Sequence, residues 1–172
     1  MKNIGNDITS LAMAGAKQFL VGNLPPLNLT PAGAALPPAE QAGLAQFSYY
    51  FNQGLNSEAA SLANALGVKI NVLDVYWLFN DVVANPARYG FTNVTNPAFL
   101  SNPSGDGYLF WDTVHPTTHA DQFIGNLAAQ TVPEPSSMVL FASALMAMGA
   151  RARWRRSTSN RRLTCHPDPK GG

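Results

Sequence analysis

The chain has 172 residues, of which 46% are hydrophobic and 12% charged, and its formal net charge is +1. This length and apolar content predict one globular domain with a buried core and exclude a disordered chain. Residues 151–162 hold six of the eleven lysines and arginines, so the domain before them is acidic, which argues against nucleic acid as its partner. Because Cys165 is the only cysteine, an intrachain disulfide is excluded.

Hydrophobic periodicity predicts helix, strand, helix and strand over the first 76 residues. Apolar residues at helical spacing predict a helix over residues 3–15, followed by a short buried strand at 19–21 and a proline-rich loop at 25–38. Helical spacing returns from 39 to 66, with Gly67 as the predicted stop. The next segment, 68–76, is rich in β-branched residues and apolar on both faces, which is typical of a parallel strand covered on two sides.

The following segments predict two more helices separated by a long loop. Residues 77–84 form a short helix that Asn85-Pro86 ends, residues 86–107 form an irregular loop, and Pro116 occupies the first position of a last helix. Alternating helices and strands imply right-handed crossovers and a parallel sheet covered on both sides. Since two strands are too few for such a sheet, the chain resembles the second half of an α/β domain whose N-terminal strands are absent.

The most informative stretch is "YLFWDTVHPTTHADQFIGN", residues 108–126, in which Asp112 precedes His115 by three residues. An aspartate so placed can hold one ring nitrogen of a histidine, which selects the tautomer needed in a general base and stabilises the imidazolium. A loop that leads from a strand into a helix also lies at the carboxyl ends of the strands of a parallel sheet, where α/β active sites are found. The alternative is that Asp112 is only the N-cap of the last helix.

This stretch resembles the block of the SGNH (GDSL-type) esterases and lipases in which D-x-x-H-P-T carries the acid and base of a Ser-Asp-His triad. Two upstream segments are also similar to that family, "GAKQFLVGNLPPLNLTP" and "FNQGLNSEAASLANALGVKINVLDVYWLFNDVVANPARYGFTNVT". The resemblance spans about residues 3–130. It implies a three-layer αβα, flavodoxin-like fold with a parallel sheet, here lacking its N-terminal strands, and ester hydrolysis without a metal or an organic cofactor.

The resemblance also implies roles for individual residues. His115 is the general base towards the serine, and Asp112 is its orienting acid. Asp74 is expected to be a structural residue near the edge of the sheet, and His119 a surface residue or one that supports the pair from outside. Phe110 and Trp111 are expected to pack against the sheet.

The nucleophile of the family is missing from these residues. The family serine lies in a Gly-Asp-Ser block near its N-terminus, and the 172 residues contain no such block. The segment Ser104-Gly105-Asp106 contains the same three residue types in a different order. The segment Gly5-Asn6-Asp7 is similar to the third family block, but its register places Asn6 in the helix before the first strand, so a structural role is expected.

The C-terminal segment differs in character from the rest. "VPEPSS", an uncharged stretch at 136–150 and the arginine cluster resemble the PEP-CTERM sorting signal of Gram-negative bacteria, with Pro133, Glu134 and Pro135 as the motif. The resemblance implies recognition by a membrane exosortase, transient insertion of residues 136–150 in the inner membrane, and release to the cell surface or medium. The alternative is a buried or amphipathic helix with a solvated basic end. The polar tail after the arginines departs from the family pattern.

Two functions follow from the sequence. The first is an exported ester hydrolase that acts on small-molecule or lipid esters, in which residues 1–130 are the C-terminal portion of the hydrolase domain, 131–156 the sorting signal and 157–172 a polar tail. The second is a surface-anchored or extracellular matrix module without catalysis. Because no export signal is visible at the N-terminus, export would require residues before Met1.

Overall fold

The computed structural model describes residues 2–132, 143–148 and residue 151. The chain forms two compact units, Met1–Val132 and Pro133–Gly172. In the second unit, residues 143–148 are helical. The sorting motif at 133–135, Cys165 and most of the arginine cluster lie outside the described residues.

In the first unit, helices and strands alternate through most of the chain. Short 3-10 turns occur at Leu27–Leu29 and Pro86–Tyr89. The elements, in order, are α1 (Lys2–Met13), β1 (Gln18–Gly22), α2 (Pro31–Ala34), α3 (Pro38–Leu66), β2 (Lys69–Leu73), α4 (Val75–Ala84), β3 (Asn93–Pro97), β4 (Tyr108–Phe110) and α5 (Thr118–Thr131).

The strands pair in parallel, as the alternation of helices and strands predicts. Strand β1 pairs with β2 in a continuous register from Gln18 opposite Lys69 to Gly22 opposite Leu73. Strand β3 pairs with β4, with an irregularity between its two ends. The described residues therefore form two two-stranded parallel sheets. The predicted α/β class is confirmed.

The predicted second strand, 68–76, was too long. Strand β2 ends at Leu73 because Asp74 is the N-cap of α4, where its Oδ1 accepts a hydrogen bond of 2.9 Å from the backbone N–H of Trp77. The same oxygen accepts a bond of 2.9 Å from the side-chain amide of Asn23, which follows β1. Asp74 thus joins the ends of both strands to the start of a helix, the structural position that was expected for it.

Both predicted loops contain regular structure. The proline-rich loop 25–38 contains the 3-10 turn Leu27–Leu29, helix α2 and the first residue of α3. The predicted loop 86–107 contains a second 3-10 turn and strand β3. Strand β3 contains two asparagines and a proline, which are poor strand formers, so local propensity predicts a loop there. The strand forms because it pairs with β4.

The start of the last helix also differs from the prediction. Pro116 is not its first residue, because α5 begins at Thr118 and the Thr117 hydroxyl caps it by accepting from the backbone N–H of Ala120 at 3.3 Å. Pro116 instead forms an antiparallel bridge with Phe110. The N-cap role considered for Asp112 therefore belongs to Thr117.

Helix α3 is confirmed, and its predicted apolar stripe is buried only in part, at Leu55 and Ala59. Helical spacing predicts this stripe at Leu44, Phe47, Tyr50, Phe51, Leu55, Ala59, Leu62 and Leu66. Phe47 and Tyr50 in that stripe are 56% and 68% exposed. The buried residues are Ser48, Asn52, Leu55 and Ala59. The two polar residues are buried because their side chains bond to the backbone of the segment after β1.

The largest apolar core of the first unit lies around the end of β4. Phe110 and Leu109 are each 1% exposed. They pack with residues from β2, α4 and α5 and from the segment before β3, namely Leu73, Val75, Leu78, Phe79, Val82, Phe91 and Ala120. The loop that carries Asp112 and His115 therefore leaves directly from a buried strand.

No helix among the described residues is both long enough and apolar enough to cross a membrane. Of the predicted membrane segment 136–150, only residues 143–148 belong to that part of the chain.

Candidate active site

The loop between β4 and α5 is closed by backbone hydrogen bonds at its base. The backbone N–H of Trp111 donates to the carbonyl of His115 at 2.8 Å, and that of Thr117 donates to the carbonyl of Leu109 at 2.9 Å. The hydroxyl of Thr117 donates to the carbonyl of Tyr108 at 2.8 Å. These bonds bring the two ends of the loop together, so the residues between them lie on a short, closed turn.

Asp112 and His115 face each other across this turn. Asp112 Oδ1 accepts hydrogen bonds from the backbone N–H groups of Val114, at 2.8 Å, and His115, at 2.6 Å. Its other oxygen, Oδ2, lies 2.8 Å from His115 Nδ1. The two sequence-predicted residues are therefore in direct contact, and the backbone fixes the orientation of the carboxylate.

These contacts keep Asp112 ionised. The backbone N–H of His115, the backbone N–H of Val114 and the His115 ring, in that order of effect, lower the pKa of Asp112 from 3.8 to about 2. An ionised carboxylate can only accept hydrogen bonds, so the nitrogen that faces it, Nδ1, carries the ring hydrogen. In the neutral imidazole, Nε2 then has the free lone pair.

The His115 ring is open to solvent. Its side chain is 76% exposed, whereas that of Asp112 is 37% exposed. Within residues 2–132, Nε2 has no hydrogen-bond partner. The pair therefore has the arrangement of a general base with its orienting acid, in which the basic nitrogen is accessible.

His119 is placed differently from His115. It lies in the first turn of α5, where its Nε2 is 3.0 Å from the carbonyl oxygen of Tyr89. Its ring contacts the rings of Phe91 and Phe123 edge to face, with centroids 5.0 and 5.2 Å away. The half-buried His119 thus ties the segment before β3 to α5 and does not contact Asp112.

The two aromatic residues before Asp112 differ in burial. Phe110 belongs to the core, as expected, but Trp111 is 41% exposed. Trp111 lines a pocket of about 800 Å³ together with residues 103–107 and the start of α5. Neither Asp112 nor His115 lines this pocket.

The segment Ser104-Gly105-Asp106 forms a turn that lines this pocket. Ser104 Oγ lies 2.8 Å from both Asn102 Oδ1 and Asp106 Oδ2. These contacts hold the serine side chain within its own loop. The triplet at 5–7 lies within α1, as expected, where Gly5 is buried.

Within the described part of the chain, no group of three or more His, Cys, Asp or Glu residues is arranged to hold a metal ion. The geometry of the Asp112–His115 pair allows proton transfer at Nε2 of His115, with Asp112 as the compensating charge.

Sequence reasoning missed one contact of this loop. The backbone N–H of Ala32 in α2 donates to the carbonyl of Thr113, between Asp112 and Val114, at 2.9 Å. No pairing across such a sequence separation is visible from local patterns. The sequence contains one related signal: Thr30-Pro31 has the residue types of a helix start, which indicates α2 but not its partner.

Family models match two parts of the chain. Residues 1–128 match the model of the GDSL-like lipases/acylhydrolases, and residues 131–156 match the PEP-CTERM protein-sorting motif. Curated relatives include the GDSL esterase/lipase APG of Arabidopsis thaliana, 31% identical over 144 residues, which cover 71% of this chain and 41% of the relative. Another GDSL esterase/lipase of the same plant is 30% identical over 156 residues, which cover 77% and 44%.

The matched region thus spans less than half the length of these curated relatives. The match nevertheless includes the strand, the loop and the helix that carry Asp112 and His115. The chain belongs to the family of GDSL-like lipases/acylhydrolases and carries a PEP-CTERM protein-sorting motif.

Proposed function

We propose that this chain supplies the acid and the base of an exported ester hydrolase with a Ser-Asp-His mechanism. The observation that supports this role is the contact of 2.8 Å between His115 Nδ1 and Asp112 Oδ2, with the rest of the ring exposed. The order Asp112 then His115 is that of a triad whose serine precedes both. Residues 1–172 contain no Gly-Asp-Ser block, so the serine comes from a separate segment.

In the proposed reaction, the serine hydroxyl attacks the carbonyl carbon of an ester. His115 Nε2 takes the serine proton and then gives it to the leaving alcohol, while Asp112 stabilises the imidazolium that exists between these steps. A water molecule, deprotonated by the same nitrogen, then hydrolyses the acyl-enzyme. The substrate is a small-molecule or lipid ester.

The first experiment asks whether the nucleophile segment exists. The DNA that precedes the codon for Met1 is translated in all frames and searched for a Gly-Asp-Ser block within the length of one domain. We expect such a block, since the curated relatives extend well beyond the matched region. If none is encoded there, the hydrolase proposal is wrong for this gene product.

The second experiment tests the pair itself. With the upstream half restored, hydrolysis of p-nitrophenyl esters is measured for the parent, His115→Ala and Asp112→Asn. We expect kcat to fall about 10⁴-fold for Asp112→Asn and at least as far for His115→Ala. His119→Ala is the matched control, since this histidine lies four residues further along, in the first turn of α5, and has other partners than Asp112. Its kcat should stay near the parent value. Equal rates for His115→Ala and the parent would exclude the role given to His115.

A second candidate is a non-catalytic module anchored at the cell surface or in the extracellular matrix. The lack of a Gly-Asp-Ser block in the 172 residues favours it. This candidate predicts that His115→Ala leaves surface binding and stability unchanged and that no upstream block is encoded. The two experiments above therefore separate the candidates.

The sorting motif supports a proposed route to the surface. An exosortase recognises Pro133, Glu134 and Pro135 while residues 136–150 hold the chain transiently in the inner membrane of a Gram-negative bacterium, and the protein then reaches the cell surface or the medium. In a host with an exosortase, replacing the three motif residues by alanine should abolish processing and leave the protein with the membrane fraction. Deletion of the polar tail 157–172 is the control. Unchanged release of the triple variant would overturn this route.

A further inference from the structure

A backbone hydrogen bond links helix α2 to the candidate active-site loop. The first N–H groups of any helix lack partners within the helix. One of these groups, the N–H of Ala32, donates to the carbonyl oxygen of Thr113 at 2.9 Å. Thr113 separates Asp112 from the two residues whose N–H groups orient its carboxylate, so this bond fixes the middle of the turn.

The turn that presents Ala32 is itself tightly bonded. Thr30 is 6% exposed, and its hydroxyl accepts from the backbone N–H of Gly33 at 3.0 Å and donates to the carbonyl of Leu27 at 2.8 Å. A threonine side chain at this N-cap position stabilises the first turn of a helix. The direction of the Ala32 N–H is therefore set by the Thr30 hydroxyl.

Gly33 permits this turn because it has no side chain. A Cβ atom on Gly33 would lie 2.0 Å from the carbonyl oxygen of Leu27 and 3.0 Å from the Cα of Asn28. Both neighbours are backbone atoms, so the conflict cannot be relieved by rotating a side chain. Any larger residue must push α2 away from the 3-10 turn before it.

Helix α3 holds the other end of this segment. The completely buried Ser48 accepts the backbone N–H of Leu27 at 3.2 Å. Asn52, 7% exposed, accepts from the N–H of Leu24 and donates to its carbonyl, each at 2.9 Å. A continuous set of hydrogen bonds thus runs from α3 through residues 24–33 to the loop at 111–116.

We infer that Thr30 and Gly33 are positioning residues, which hold the Asp112–His115 turn in place through the hydrogen bond from Ala32 to Thr113. Neither residue touches His115. That this positioning serves catalysis rests on the proposed function, whereas the hydrogen-bonded connection from α2 to the loop does not.

Hydrogen–deuterium exchange measured by mass spectrometry tests this link in the full chain at low concentration. The variants are Gly33→Ala and Thr30→Val, which disturb the turn, and Thr30→Ser, which keeps the hydroxyl. The control is Gly43→Ala, because Gly43 lies in α3 with no atom within 4 Å of its added Cβ. The readout is the exchange of the Val114 and His115 amides, which donate to Asp112.

We expect these two amides to exchange roughly tenfold faster or more in Gly33→Ala and Thr30→Val, while the amides of β2 keep the parent rate. Thr30→Ser and Gly43→Ala should match the parent at both places. If Gly33→Ala fails to fold, the comparison of Thr30→Val with Thr30→Ser decides. Rates within about twofold of the parent in both disturbing variants would overturn the inference.

Exchange of the C2 hydrogens of the histidine rings adds a readout that is specific to position. Displacement of Asp112 should change the C2 exchange rate of His115, which contacts Asp112, whereas His119 should keep its parent rate. If the rates of both rings change together, the effect is a general loss of structure and the inference fails. If the exchange results hold but His115→Ala keeps full esterase activity, the inference stands and the proposed function falls.

Discussion

The two parallel sheets of the first unit are stabilised in different ways. In β3–β4, the strand residues Leu109 and Phe110 are each 1% exposed and lie in the main core. In β1–β2, no residue of β1 is buried, and Leu20 is 40% exposed. Strand β1 is held by its ladder with β2 and by polar contacts at its end, such as that between Asn23 and Asp74.

This difference shows where the candidate site obtains its rigidity. The turn with Asp112 and His115 leaves from the buried strand β4, so its base is fixed by apolar packing. Its tip is held by the hydrogen bond from the backbone N–H of Ala32 in α2 to the carbonyl of Thr113. The most exposed aromatic side chains, Phe47, Tyr50 and Trp77, lie in α3 and α4, the helices on either side of β2 in the sequence.

The largest effect is expected from truncating the core strand. Phe110→Ala should lower the free energy of unfolding by about 3–5 kcal/mol because it leaves a cavity at the base of the candidate active-site turn. Leu20→Ala on β1 should cost less than about 1 kcal/mol, since its side chain is 40% exposed. Urea denaturation of the two variants measures both values. Equal losses would mean that the two sheets are supported alike.

The second prediction concerns association. Within the described residues, β1 is paired on one side only, and an unpaired strand edge favours aggregation. We expect this chain, expressed alone, to aggregate and to lack esterase activity. Leu20→Lys should shift it towards monomer in size-exclusion chromatography with light scattering, because a charge on an edge strand opposes pairing.

Leu11→Lys is the matched control for association. Leu11 is 55% exposed but lies in α1, so a charge there leaves the strand edge unchanged. If both lysine variants become monomeric to the same extent, general hydrophobicity drives association and the edge of β1 does not. A soluble parent monomer with cooperative unfolding would contradict the prediction altogether.

The third prediction follows from the lowered pKa of Asp112. A folded-state pKa of about 2, against an ordinary value of 3.8, means that the carboxylate stabilises the fold above pH 3.8 and that this contribution is lost as the pH falls towards 2. In Asp112→Asn the side chain can still accept the two backbone bonds but does not titrate. Urea midpoints between pH 5 and 2 should therefore fall further in the parent than in this variant.

The smallest effects are expected at two glycines with positive φ, Gly67 before β2 and Gly90 before β3, at 62° and 77°. Alanine at Gly67 should cost about 1 kcal/mol through backbone strain alone, because its Cβ would meet no atom within 4 Å. Alanine at Gly90 should cost more, since its Cβ would also lie 3.4 Å from His119 Nε2. Thermal unfolding ranks the two variants, and the reverse order would show that His119 moves freely.

Local patterns were sufficient to predict the long helix α3, both strands of the first sheet and the helix after the candidate active-site turn. They failed where the structure of a segment depends on strand pairing or on residues that are distant in the sequence. Strand β3 contains two asparagines and a proline, and only the ladder with β4 makes it a strand. The buried face of α3 includes Ser48 and Asn52. Their polar side chains predict exposure to solvent, but they are buried because they bond to the backbone of the segment after β1.

The sequence by itself determined the α/β class, the family, the sorting motif and the pair Asp112 and His115, because all of these depend on residue types at short, fixed spacings. The tertiary structure alone decided which atoms meet. Asp112 uses one oxygen for two backbone N–H groups and the other for His115, and the N–H of Ala32 holds the turn at Thr113. Residues 81 positions apart in the chain form that last bond, and only the folded path of the backbone brings them together.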